Sequence, residues 1–117
     1  MSFTGQIKKF NRKAEKAATM IFRGTSLSLF EKIVRRTPVD TGRARGNWMA
    51  GINRPSSDSP GYESVVARAR LGDSLFLTNN LPYIGVLENG SSEQAPHGMV
   101  AVTVTEFRQV VSMEARK

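Results

Sequence analysis

The chain contains no cysteine and a single histidine, His97. Those two shortages exclude disulfides, thiolate nucleophiles and sulfur metal sites, and leave almost nothing from which to build a zinc centre. A nucleophilic hydrolase needs a Ser or Cys, a His base and an orienting carboxylate. His97 lies in the loop-like stretch Gln94-Ala95-Pro96-His97-Gly98, where no motif prepares a nucleophile. Carboxylate pairs such as Glu88 and Glu93 have no spacing that demands acid–base or metal chemistry, and are read as solvated. A phosphate-binding glycine loop is missing too, because Gly42-Arg43-Ala44-Arg45-Gly46 has neither the spacing nor the following Lys-Ser/Thr. The expectation is a non-enzyme with no catalytic residues, no cofactor and no metal. Long apolar runs are also absent: the N-terminus MSFTGQIKKF lacks the core of a signal peptide, and no stretch approaches the roughly 20 apolar residues of a membrane helix. A soluble chain that stays in the cell that makes it, with no membrane partner, is expected.

What is present is a short basic chain of 117 residues, 39% apolar. That is enough for one modest core, so a single domain over residues 1–117 is expected, gaining stability by assembly. The net charge of +7 is unevenly spread. Residues 1–54 hold 12 Lys/Arg against Glu15, Glu31 and Asp40, whereas the remainder holds five basic and seven acidic residues. Such asymmetry points to one surface that meets phosphate or an acidic partner, or to a plainly solvated helix face.

Phe3, Ile7, Phe10, Ala14, Ala17 and Ile21 recur at alternating spacings of four and three, which predicts a helix with one narrow apolar stripe that seeks a core. Lys8, Lys9, Arg12, Lys13 and Lys16 project from its other side as a row of cations. After Gly24 the apolar positions Leu29, Phe30, Ile33 and Val34 rotate the stripe by about a quarter turn, so the helix kinks there or changes partner. Pro38 ends it around Arg36, giving a basic amphipathic helix over residues 1–36. A corner and a strand are expected over 37–54, the strand from Ala44 to Ile52, and a mobile loop over 55–62. The rest, 63–117, reads as a short helix, with a strand as the alternative, from Glu63 to Leu71, then a strand at Leu75–Thr78, a short helix at Pro82–Leu87 and a C-terminal helix. In that last segment Val100, Val104, Phe107 and Val111 repeat helically over a longer span than Val100, Val102 and Val104 alternate.

In Thr37-Pro38-Val39-Asp40-Thr41-Gly42-Arg43, Asp40 can accept hydrogen bonds from downstream N–H groups and Gly42 can adopt positive φ. Pro38, Asp40 and Gly42 are therefore read as a structural corner, with Arg43 and Arg45 just beyond it facing a subunit or DNA. Phe3, Phe10 and Phe22 lie away from the cation row, so base stacking is not expected; DNA contact would be to phosphates and without sequence preference.

Two segments resemble a known family. They are Thr37-Pro38-Val39-Asp40-Thr41-Gly42-Arg43 leading to Asn47-Trp48, and Leu77-Thr78-Asn79-Asn80-Leu81-Pro82-Tyr83 followed by Leu87-Glu88-Asn89-Gly90 and Gln94-Ala95-Pro96-His97-Gly98-Met99-Val100. In order and spacing, over about residues 30 to 110, they are similar to the tail-component family of tailed bacteriophages, comprising neck, head-tail joining and tail-completion proteins. The resemblance implies an α+β fold with a long N-terminal helix, a small antiparallel sheet and a C-terminal helix. It also implies a homo-oligomeric ring between portal and tail tube, six-fold rather than twelve-fold, with neighbouring neck, portal-adaptor or tail-tube proteins as partners. On that footing Trp48, Tyr83, Pro96 and His97 are subunit-interface candidates, and Lys8, Lys9, Arg12, Lys13, Lys16, Arg43 and Arg45 face the DNA-bearing lumen or a partner. The competing expectations are a sequence-independent nucleic-acid-binding protein and a tail terminator.

Overall fold

In a computed structural model of the chain, residues 3–39, 43–56, 61–82, 84–90 and 97–117 are described. The order is α1 (Phe3–Arg36), α2 (Arg43–Gly46), β1 (Trp48–Ile52), α3 (Tyr62–Arg68), β2 (Leu75–Asn79), α4 (Ile84–Glu88), α5 (Val100–Val104) and α6 (Phe107–Ala115). This is the α+β architecture expected, with a long N-terminal helix, a two-stranded antiparallel sheet, short helices and a helical C-terminus.

At 34 residues α1 is about 51 Å long. It runs unbroken through Gly24, and the change of apolar face accompanies a change of neighbours, from the exposed first half to α3, α5 and α6 beside the second. The molecule measures 61 × 29 × 16 Å. Its radius of gyration is 17.3 Å, against about 13 Å for a compact chain of this length. Only the second half of α1 is packed: every residue from Gln6 through Ala18 is exposed, whereas Thr25, Ile33 and Thr37 are buried. The expectation that the first stripe enters a core is therefore corrected. Ile7, Phe10, Ala14 and Ala17 lie on a projecting arm, because the chain that follows is too short to cover both halves of the helix.

The core lies where α1 ends. Ile33 and Met99 are buried together, with Trp48, Leu77, Ile84, Leu87 and Val100 packed around them. β1 pairs with β2 from Trp48 opposite Asn79 to Ile52 opposite Leu75. Val65, Val66 and Ala69 of α3 and its exit are buried in the same layer as Ala50, and Arg23 donates to the Ala69 carbonyl at 2.7 Å, tying α3 to α1.

Two boundaries differ from the sequence reading. The strand begins at Trp48 and not at Ala44, since residues 43–46 coil into α2. Arg45 stabilises that turn by reaching back to the carbonyls of Arg35 and Thr37, at 2.7 and 3.0 Å. The C-terminal helix is in two pieces, α5 and α6, parted at Thr105 and Glu106. The run Val100, Val102, Thr103, Val104 and Thr105 is rich in β-branched residues with stiff side chains and weak helix propensity. The loop expected at 55–62 is described at Pro55, Ser56, Gly61 and Tyr62, and the rest of it lies outside the described residues.

A candidate interaction surface on the N-terminal arm

The two segments singled out in the sequence each contribute to a junction of the fold. At the end of α1, Thr37 is fully buried. Its hydroxyl donates to the Ile33 carbonyl at 2.7 Å and accepts from Trp48 Nε1 at 2.8 Å. The Thr37 carbonyl accepts from Arg45, so helix end, α2 and β1 meet at one residue. Pro38 is buried beside it. Asp40 and Gly42, the other two residues of the expected corner, lie outside the described residues.

In the second segment Glu88 is not the solvated carboxylate expected. Its Oε1 accepts from the N–H groups of Met99 and Val100 at 2.8 and 2.9 Å, and its Oε2 from that of Ala101 at 2.8 Å. These are otherwise orphan donors in the first turn of α5, so the carboxylate is a long-range cap. Burial pushes the Glu88 carboxyl up, but the N–H groups of Val100, Ala101 and Met99 together outweigh it and hold it below the ordinary range. Gly98, at φ +83°, permits the approach: a side chain there would collide with the Glu88 backbone and carboxylate.

A third junction joins the helices. Glu106, at the α5–α6 break, accepts from Lys32 Nζ and Arg36 Nη2, both at 2.6 Å. Arg36 also donates to the Thr103 hydroxyl at 3.0 Å. The hydrogen bond from Lys32 and then that from Arg36 hold the Glu106 carboxyl below its usual range. Neither Glu88 nor Glu106 was legible as a binding group, since their partners stand 11 to 13 and 70 to 74 residues away.

Of the proposed site residues, Lys8, Lys9, Arg12, Lys13 and Lys16 are brought together, all exposed on the arm. Among the described residues the ion pairs are Lys32–Glu106, Arg36–Glu106 and Lys117–Glu114, so none involves the five arm cations. No acidic residue lies in the first turn of α1. The arm is thus an exposed helix on which, among the described residues, Glu15 is the one carboxylate set among five cations.

The other candidates are placed differently. Arg45 is turned onto its own chain, and Trp48 is part of the core, bound to Thr37. His97 is exposed in a turn. Tyr83, Pro96 and the Arg43 side chain lie outside what is described.

Sequence reasoning missed an apolar groove beside the arm, lined by Ala18, Ile21, Phe22, Leu29, Phe107 and Val111, with a volume of about 400 Å³. Most of its lining is on α1, and its other wall, Phe107 and Val111, comes from α6, which only the folded chain brings alongside. No group of His, Cys, Asp and Glu among the described residues is arranged to hold a metal ion. No helix among them is long and apolar enough to cross a membrane.

A scan of the chain against protein-family models finds no match, and comparisons with curated proteins and with solved structures find none either.

Proposed function

We propose that this chain is a non-enzymatic structural protein of a tailed-phage virion, a ring-forming neck or tail-completion subunit that joins head to tail around the DNA path. The observation that carries the reading is the row Lys8, Lys9, Arg12, Lys13 and Lys16, exposed together on an arm that leaves the body of the molecule. Five cations in a row suit a long polyanion or an acidic neighbouring ring. Flexible lysines attract phosphates without fixing the duplex in register, which is what a passage for DNA requires. The resemblance of residues 37–48 and 77–100 to phage tail components supports the same reading. The bonds around Thr37 and Glu88 give both segments structural work.

The experiment is complementation of a phage lacking the protein. Wild-type protein is expected to restore joined particles and to appear as a ring at the neck. A Lys8→Glu, Lys13→Glu, Lys16→Glu variant is expected to fold normally but to yield DNA-filled heads separated from tails, or particles that retain DNA poorly. Full infectivity of the triple variant, or a particle without the protein at its neck, would remove the proposal.

The same exposed row supports a second reading, a sequence-independent nucleic-acid-binding protein. Affinity of the isolated chain for random duplex, falling by about 0.9 log units per phosphate contact for each tenfold rise in salt, is its signature.

A further inference from the structure

The face of α1 opposite the lysine row has its own geometry. The stripe Ile7, Phe10, Ala14, Ala17 and Ile21 continues, at spacings of three and four, through Gly24, Ser28 and Lys32. On that continuation lies α6, antiparallel to α1: Glu106 binds Lys32, and Glu114 stands directly over Gly24. At the level of Gly24 the cover ends. Beyond it Phe10 is 70% and Ile7 44% exposed, while the groove between α1 and α6 leaves Phe107 51% exposed. At the edge of this groove the Thr25 hydroxyl is buried with no hydrogen-bond partner among the described residues. Such an orphan costs about 1–3 kcal/mol unless something satisfies it.

We infer that the uncovered stripe of one copy lies in the α1–α6 groove of a second copy, with Phe10 and Ile7 as the inserted side chains. Because arm and groove share one unbroken helix, the arm cannot fold back into its own groove; only another chain's arm can enter it. The dimensions agree. From Phe3 to Ala17 the arm is about 21 Å long, and the groove spans Ala18 to Leu29, about 17 Å along the same helix. Between them, Ala14, Ala17 and Ala18 offer only methyl groups, so two helices can approach closely there.

Charge fits as well. An antiparallel arm that brings Phe10 to the level of Ser26 and Leu27, where Val111 of α6 lies, brings Lys13 to the level of Gly24, where among the described residues the Glu114 carboxylate is paired with Lys117, itself highly exposed. The receiving segment from Ala17 to Leu29 contains one charged residue, Arg23, already bonded to the Ala69 carbonyl. The remaining arm cations point away and stay hydrated. One arm in one groove buries on the order of 1,000 Å², at the low end for a specific interface, and two reciprocal arms about twice that. This contact is independent of the virion reading, since it follows from the helix and groove alone.

The absence of cysteine makes the test clean. Full-length Phe10→Cys protein is mixed with full-length Val111→Cys protein under mild oxidation, and disulfide-linked heterodimers are measured by non-reducing electrophoresis and mass spectrometry. Rapid cross-linking is expected for this mixture, and little for Phe10→Cys mixed with a Gln109→Cys control on the exposed side of α6. A Phe10→Asp variant should keep its circular dichroism spectrum and self-associate about tenfold more weakly or worse in sedimentation. With both cysteines in one chain, linkage that stops at the dimer shows reciprocal arms, and a ladder shows head-to-tail passage; either supports the contact. A chain that stays monomeric to millimolar concentration, or that cross-links equally to the control, overturns it. Neither overturning result bears on whether the protein occupies a phage neck, which complementation decides separately.

Discussion

Trp48 Nε1 donates to the Thr37 hydroxyl at 2.8 Å, so the first residue of the sheet is bonded to the residue that follows the long helix. The same hydroxyl donates to Ile33, which leaves it one chain-internal role as donor and one as acceptor, both filled. Thr37→Val strands the indole N–H and is expected to cost about 1–3 kcal/mol, while Trp48→Phe, which removes the donor and trims the indole to one ring, loses nearer 1 kcal/mol from the hydrogen bond plus the packing of the lost ring atoms. Urea unfolding of the singles and the double measures the coupling. Additive effects would mean that the bond contributes nothing.

The Glu88 cap makes a second prediction. Glu88→Ala removes all three acceptor contacts of α5 and is expected to destabilise the fold by about 1–3 kcal/mol, with Glu88→Gln intermediate. Gly98→Ala should cost a similar amount, about 1–3 kcal/mol, because it strains the backbone and forces Glu88 aside. Thermal melts rank the three, and an unchanged midpoint for Glu88→Ala would show the cap to be ornamental.

Acid should weaken the protein for a related reason. Glu88 and Glu106 both titrate lower in the folded chain than their ordinary value of 4.5. At acid pH the unfolded chain therefore binds more protons than the native one. The stability these groups contribute is fully present above pH 4.5 and is lost as pH falls through their folded values. Unfolding midpoints measured from pH 7 down to pH 3 should fall in the wild type and fall less in Glu88→Gln. Parallel curves for the two proteins would count against the assignment.

Hydrogen exchange should divide α1 in two. An uncovered helix of about 15 residues is marginal in water, and cations near its N-terminus oppose the helix dipole. Amides over residues 6–16 should exchange quickly in the isolated chain, and those over 27–36, packed against the body, slowly. Slow exchange on the arm at low concentration would show it to be covered already.

The elements were legible where local pattern sufficed. The periodicity of residues 3–21 and the block at Pro38 mark α1, and the apolar run Leu75-Phe76-Leu77 marks β2. The face that this periodicity buries was not legible, because an apolar stripe has the same spacing whether its own domain covers it or not. Ile7 and Phe10 read like core residues and are exposed. Trp48 is partly buried against the core, and its bond to Thr37 was not legible, since only the fold brings the two together. Of the candidate surface, the lysine row was visible from composition alone, and the groove was not, since Phe107 and Val111 reach α1 only through the Glu106 junction.

The uninterrupted course of α1 through Gly24 has a mechanical consequence. A continuous helix fixes the azimuth of the arm to that of the body, like two gears on one shaft. Inserting a single residue between Ala17 and Gly24 would leave every packed contact after it in place and yet swing Ile7 and Phe10 by about 100° about the axis. The apolar stripe would then point where no groove waits, and the lysines would move with it. Inserting seven residues, close to two full turns, would restore the phase to within about 20° while carrying the arm about 10 Å further out. Reach and phase are separately adjustable in this helix, and the pair of insertions tells which of them the protein's partner reads.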